Sequence, residues 1–324
     1  MPKNLLSLSG IAFGDDEIQV LKNIQFSQQP FQKIVIAGET GSGKSTLLKI
    51  IAGLEQPATG EVLFEDQMVK GPAEQLVPGH PEIAYLSQQF ELPKFLRVEQ
   101  VLEYSNKLTA TREAKIFSVC RINHLLKRKT NELSGGEKQR IAIARLLIQQ
   151  PKLLLLDEPF SNLDTVLKGV LKSVLDDIGR KLKITCILVS HDPDDTLPWA
   201  DEILVLKAGR IVQRGMPKEI YRNPINTYVA GLFGNYTVLD GVWLKKLGIK
   251  TTTKKLIFRP EDFKLVGNGA KTLSGIIDKI HFLGDHVIIE VLVGEQRFAV
   301  SAIETRLTVG DSVWLKLNRK IISV

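Results

Sequence analysis

Short segments of this 324-residue chain carry side chains spaced for chemistry. Gly38-Glu39-Thr40-Gly41-Ser42-Gly43-Lys44-Ser45-Thr46 follows an apolar run, Ile34 to Ala37, and opens a helical pattern. Glycines let the backbone curl until successive N–H groups face one centre, and the helix N-terminus adds its dipole, which together suit a polyphosphate. In the G-x-x-x-x-G-K-[ST] pattern Lys44 reaches the terminal phosphates and the Ser45 hydroxyl meets Mg²⁺, so a nucleoside triphosphate is the expected ligand. Further on, Leu153 to Leu156 ends in Asp157-Glu158-Pro159. Charges are too costly inside such a strand and belong at its carboxyl end, where open α/β sheets bind ligands. Asp157 is expected to hold the metal shell, and Glu158, one residue further out, to polarise an attacking water.

Leu133-Ser134-Gly135-Gly136-Glu137-Lys138-Gln139-Arg140 reads locally as a helix start. Ser134 with Glu137 three residues later is a capping box, and a capped N-terminus flanked by glycines is a second anion-facing site. The wording LSGGEKQR ahead of LLLLDEP resembles the signature of ABC-type ATPases. That resemblance implies a P-loop ABC ATPase domain of α/β class with a helical subdomain, and ATP with Mg²⁺ as its ligands. It also assigns further roles. Gln88, in Tyr85-Leu86-Ser87-Gln88, would join Ser45 and Asp157 at the metal and couple the attacking water to the helical insertion. His191, in Val189-Ser190-His191-Asp192, would be the switch at the γ-phosphate, completing the catalytic set with Glu158 and Gln88. Asp164 would be the acid of the dimer-contacting loop Ser161-Asn162-Leu163-Asp164. Phe13 stands where the family stacks an aromatic ring on adenine, and a phenyl ring keeps the π face. Ser134, Gly135 and Gly136 would close on the γ-phosphate of a second chain. Pro193 and Pro198 depart from the family by interrupting a stretch that is usually helical.

The tail extends the resemblance. Met216 to Pro224, then Phe233-Gly234-Asn235, Phe258-Arg259-Pro260-Glu261-Asp262 and Phe282-Leu283-Gly284-Asp285 resemble importer ATPases for sugars, polyamines and ferric iron, which carry a transport-associated OB-like domain. The implied partners are a second ATPase subunit in a homodimer, integral membrane permease subunits, and indirectly an extracytoplasmic substrate-binding protein. The implied location is cytoplasmic, peripheral on the inner face of the cell membrane. Phe90, Leu92, Phe95 and Leu96, just after Gln88, form an apolar set that a docking helix of a membrane partner would use.

The elements that must hold these residues follow from pattern. Short apolar runs alternate with helical periods through the first two-thirds, the mark of an α/β domain. Ile34 to Ala37 and Leu153 to Leu156 are continuously apolar, as in parallel strands covered on both faces. Helices are predicted over 44–52, 98–108, 112–127, 137–149 and 166–182, with a helical insertion over about 88–145. From Thr237 the residues alternate with hardly a helical period, which predicts a Greek-key barrel or half-barrel. The expected domains are 1–235 and 236–324.

Composition bounds the function classes. With 44% hydrophobic and 24% charged residues the chain is globular and long enough for two domains. Cys120 and Cys186 have no C-x-x-C partner, so neither a disulfide framework nor a zinc site is expected. No apolar run approaches eighteen residues and no apolar stretch follows Met1, so neither a membrane span nor export is expected. The net charge is +7, and residues 236–324 hold 14 basic against 9 acidic side chains. An ABC-superfamily ATPase acting on nucleic acid or the ribosome is therefore the alternative. The chain lacks the long coiled-coil insertion or second nucleotide domain of such machines, and the tail aromatics alternate as core residues, so no nucleic acid is expected.

Overall fold

The computed structural model describes residues 3–15, 17, 19–103, 108–161, 163–249 and 255–318. Packing divides the chain into Met1–Pro217 and Lys218–Val324.

In the first unit a six-stranded sheet runs Arg210–Gly215, Glu202–Lys207, Lys33–Ala37, Thr185–Val189, Leu153–Asp157, Ile83–Leu86. All neighbours are parallel except the first pair. Strand side chains alternate between faces, so the leucine run splits: Leu153 and Leu155 enter one core, Leu154 and Leu156 the other. Both faces are covered, as the uninterrupted apolar runs require. The core containing Leu153 and Leu155 also holds the helix Lys44–Ile51 and a four-stranded antiparallel sheet ordered Gln19–Gln28, Leu6–Gly14, Thr59–Phe64, Gln67–Met68. The opposite core is built with the helices Val98–Glu103, Ala110–Val119, Gly135–Leu147 and Thr165–Asp177.

The helical insertion differs from its pattern in detail. The predicted 112–127 helix stops at Val119 because Arg121 takes a left-handed φ of 55° and its carbonyl accepts from Arg140 Nη1 at 2.8 Å. A single 3₁₀ turn, Asn123–Leu125, follows. The 98–108 helix is described to Glu103, and 104–107 lie outside the described residues. The 166–182 segment is α-helical to Asp177 and then widens into a π turn, Ile178–Leu182. Pro193 does not interrupt a helix but begins one: it sits in the first turn of Pro193–Thr196, where its missing N–H costs nothing.

The second unit contains the helices Thr227–Leu232 and Gly241–Lys246 and a five-stranded antiparallel sheet. Its strands lie in the order Phe263–Val266, Ser312–Leu317, Leu273–Phe282, Val287–Val293, Gln296–Ala302. The last strand in the chain, Ser312–Leu317, returns beside the first of a three-strand meander, which is Greek-key order. Edge strands meet through side chains: the Phe263 and Phe298 rings stand 5.3 Å apart at 90°. Helix Gly241–Lys246, absent from the sequence pattern, starts because Asp240 Oδ1 accepts the N–H groups of Val242 and Trp243. Segment 218–235 packs with this unit because Arg259 is buried in it, donating from Nε to the Tyr221 carbonyl and from Nη1 to the carbonyls of Ala230, Gly234 and Asn235.

Candidate functional site

The phosphate loop leaves the strand Lys33–Ala37 and enters the helix Lys44–Ile51 through three left-handed glycines, Gly38 at φ 157°, Gly41 at 81° and Gly43 at 100°. Gly43 requires glycine twice over: its φ disfavours a side chain, and a Cβ would stand 2.7 Å from Leu21 Cδ2. At Gly41 nothing lies within 4 Å of where a Cβ would sit, so that side of the loop is open. Ser45 is exposed and Thr46 half-buried in the first helical turn. Leu21, under Gly43, pairs across the antiparallel sheet with half-buried Phe13.

Lys44 is 6% exposed, and its Nζ donates to the carbonyls of Gly38 and Glu39, both at 2.8 Å. Burial pushes this ammonium below its ordinary pKa, while Glu158 and Asp157 oppose the shift. Asp157 continues the Leu153, Leu155 parity and so shares their face with the phosphate-loop helix. The Tyr85 hydroxyl donates to Asp157 Oδ2 at 3.0 Å, from a strand position of the same parity. Burial, then the Asp157 charge, push the Tyr85 phenol well above its usual range, so it remains a donor.

Asp157 Oδ1 and Ser42 Oγ are buried without a hydrogen-bond partner among the described residues. Such atoms are costly to leave unpaired. A carboxylate oxygen and a hydroxyl, with a lysine and a glycine cradle in the same loop-and-strand arrangement, form the oxygen-rich donor set that Mg²⁺ and a triphosphate fit.

Glu158 has a left-handed φ of 47°, which a non-glycine residue adopts only when its surroundings hold it there. Its N–H donates to Val189 O at 3.1 Å, and its carbonyl accepts from Ser161 N at 3.1 Å and Ser161 Oγ at 2.8 Å. Its side chain is bracketed: Gln88 Nε2 lies 3.3 Å from Oε2, and His191 Nδ1 lies 3.2 Å from Oε1. The three residues line a cavity of about 370 Å³ with Ser161, Lys168 and Asp192. Adjacent Gln89 lines a different groove, of about 310 Å³, with Tyr85, Phe90, Leu92, Arg145 and Leu146. Of the apolar set after Gln88, Phe90 and Leu92 are half-buried, whereas Phe95 is 71% and Leu96 40% exposed.

Ser134 caps the helix Gly135–Leu147 through a complete capping box, with Glu137 N donating to Ser134 Oγ at 3.3 Å and Ser134 N to Glu137 Oε2 at 2.8 Å. Gly135 is open to solvent, while Gly136 packs on Leu167. Buried Gln139 of the same motif donates to the Pro159 carbonyl, tying this helix to the turn after Glu158. Asp164 caps the helix Thr165–Asp177 by accepting from Leu167 N at 2.8 Å; Asn162 lies outside the described residues. Gln88, Glu158 and His191 thus come together, as do Lys44 and Asp157. Ser134, Gly135, Gly136 and Asp164 do not line the Glu158 cavity. Sequence reasoning missed Tyr85, Gln139 and Lys168. Strand parity alone would have found Tyr85.

The ABC transporter family matches residues 21–161 and the TOBE domain residues 256–324. The glucose import ATP-binding protein GlcV of Saccharolobus solfataricus is 33% identical over 285 residues, covering 82% of this chain and 80% of that protein. The spermidine/putrescine import ATP-binding protein PotA of Clostridium acetobutylicum is 32% identical, covering 97% of this chain and 94% of that protein. Among solved structures, the dimeric post-hydrolysis state of the ATP-binding cassette MJ0796 bound to ADP and Pi superposes with a TM-score of 0.55 at 25% identity, over 65% of this chain and 98% of that one. Among the described residues no helix is long and apolar enough to cross a membrane. With a phosphate loop, a bracketed carboxylate and relatives matched over most of their length, the chain belongs to the ABC transporter family: it is an ATPase subunit of the importer class, with a TOBE domain after its ATP-binding core.

Proposed function

We propose that Gly38–Thr46 binds Mg-ATP, that two copies of the chain close head to tail around two nucleotides, and that Glu158 is the base that activates water. Glu158, held between Gln88 and His191 at a left-handed turn, is the observation that carries this reading. Mg²⁺ held by Ser45, Gln88 and Asp157 would neutralise charge on the phosphates. Lys44 supplies a point charge to the β and γ phosphates, and Phe13 the face for adenine. The Glu158 carboxylate accepts the proton of water entering the cavity beside it, while His191 orients that carboxylate and senses the γ-phosphate. Gln88 links the base to the helical insertion. Ser134, Gly135 and Gly136, at an open helix N-terminus, bind the γ-phosphate of the other copy, and Asp164 rigidifies the loop that meets it. The dimeric cassette with ADP and Pi supports this assembly. The nucleotide-binding domain is read as 1–235 and the OB-like domain as 236–324.

Hydrolysis removes the bridge between copies, and the helical insertions move apart. The groove lined by Gln89, Phe90 and Leu92, with exposed Phe95 and Leu96 nearby, takes a helix of integral permease subunits. Through them the chain sits on the inner face of the membrane and responds to an extracytoplasmic binding protein. Glu158→Gln tests the reading: nucleotide affinity is retained, turnover falls on the order of 10²–10⁴-fold, and the variant elutes as a dimer with Mg-ATP. Normal turnover removes the base assignment, and a strict monomer removes the head-to-tail dimer. Multi-span permeases should co-purify from membranes; recovery of ribosomes or DNA instead would support the nucleic-acid alternative.

A further inference from the structure

Among the described residues His191 makes one side-chain hydrogen bond, to Glu158, and its side chain is 62% exposed. Little packing therefore aims the ring; its backbone must. The flanking residues are tied down. Asp192 N donates to the hydroxyl of buried Ser190 at 3.1 Å. Asp192 Oδ1 accepts from Asp194 N at 3.0 Å, capping the one-turn helix Pro193–Thr196, and Asp192 Oδ2 accepts from Lys168 Nζ at 2.9 Å. Lys168 Nζ also lies 3.4 Å from Asp195 Oδ2. One turn along the same helix, Lys172 Nζ lies 2.8 Å from Asp195 Oδ1 and donates to the Asp194 carbonyl at 2.8 Å.

These are not ordinary surface pairs, which contribute little. The Asp195 side chain is only 3% exposed, so its charge needs both lysines. Both oxygens of Asp192 are engaged, which fixes its rotamer next to His191. The lysines project from the helix that Asp164 caps, and Lys168 N donates to the Asp164 carbonyl at 2.9 Å, in the first turn. The helix that Asp164 caps and the histidine segment are thus joined by paired charges.

We propose that Lys168, with Lys172 behind it, is a positioning residue that sets the orientation of His191 toward Glu158 by clamping Asp192 and Asp195. It acts through the backbone of residues 190–192 and transfers no proton itself. The charge must match in shape as well as sign: arginine can span the same two carboxylates, and methionine cannot. The pairing also holds the Lys168 ammonium above its ordinary pKa, chiefly through the hydrogen bond to Asp192. This inference rests on the reading of Glu158 and His191 as a working pair.

The test uses the full chain with Lys168→Met, Lys168→Arg, Asp192→Asn and the double variant Lys168→Met/Asp192→Asn. Lys168→Met is expected to lower kcat on the order of tenfold, with the affinity for a fluorescent ATP analogue within about twofold of the parent. Lys168→Arg should restore most of the rate, and the double variant should be no more than about twofold slower than the worse single. Histidine-selective ¹⁵N NMR, with the His191 signal assigned by its loss in His191→Ala, should show that ring's hydrogen-bonded nitrogen shifting in Lys168→Met. Asp192→Asn keeps the cap oxygen and removes only the charge, so it serves the same test if Lys168→Met fails to fold. Unchanged kcat and an unmoved His191 signal would overturn the proposal. So would additive losses in the double variant, which would place Lys168 directly on the reacting atoms. If His191→Ala turns over normally, the catalytic pair itself is wrong, which separates that failure from the failure of the clamp.

Discussion

In each unit of this chain a buried long cation donates to more than one backbone carbonyl, Lys44 in the first and Arg259 in the second, and the two do opposite things. Lys44 clasps the carbonyls of Gly38 and Glu39 in the first unit. Arg259, 2% exposed, clasps those of Tyr221, Ala230, Gly234 and Asn235 in the second, lies 4.2 Å over the Tyr221 ring, and its own N–H donates to Asp262 Oδ2 at 2.7 Å. Burial lowers the pKa of both. The difference lies in what surrounds them. Beside Lys44 stand a carboxylate oxygen and a hydroxyl without partners among the described residues, the acids Asp157, Glu158 and Glu39, and the glycine turns of the phosphate loop; it is a point charge with a ligand-shaped neighbourhood. Around Arg259 the acceptors come from separate stretches of chain, and a planar fork meets them at fixed angles. A buried cation is therefore a poor sign of function by itself. The functional one is marked by unpaired oxygens on its neighbours, Asp157 Oδ1 and Ser42 Oγ; at Arg259 the unpaired atom among the described residues is its own Nη2, a donor.

The comparison can be broken most strongly at Arg259. Arg259→Met strands several buried carbonyls at once, and the second unit should lose about 3–5 kcal/mol, read as an early transition in chemical denaturation. Nucleotide affinity should be unchanged; a parallel loss of ATP binding would mean that both cations serve the phosphate site. Lys44→Met is next. Affinity for ATP should fall roughly a hundredfold or more, with melting temperature unchanged or slightly higher, because a desolvated charge has been removed. A large drop in melting temperature would make Lys44 structural, like Arg259.

The smallest effect sharpens the contrast through pH. The Lys44 pKa is lower folded than its unfolded value of 10.5, so between those two values the unfolded chain binds more protons. Stability of the nucleotide-free protein should then gain a small increment as pH rises through that window, and Lys44→Met should lose the increment. The clamp lysine has the opposite sign: Lys168 is raised, so its contribution is present below 10.5 and is lost as pH passes above its folded value. Equal pH profiles for parent and Lys44→Met in calorimetry would contradict the burial argument.

Local pattern made much of the machinery legible. The loop Gly38–Thr46, the acids at the end of Leu153–Asp157, the capping box at Ser134 and the two-faced burial of the leucine run all depend on residues a few positions apart, where backbone geometry and periodicity act directly. The choice of Gln88 over Gln89 depended on which of two adjacent side chains faces Glu158, and strand parity was lost at the end of Ile83–Leu86. Helix ends at Val119 and Asp177, and the start at Gly241, were set by Arg140, a π turn and Asp240, which a hydrophobic period does not register.

By itself, then, the sequence determined which ligand chemistry the chain carries, because phosphate binding is written in three closely spaced glycines, one lysine and a strand-terminal acid. Only the tertiary structure decided how Glu158 is held. Gln88 and His191 lie 70 and 33 residues from Glu158, and Lys168 lies 24 and 27 residues from Asp192 and Asp195. Their meeting follows from the parallel order of the central strands and from charges that must be paired once buried, neither of which any short window of sequence contains.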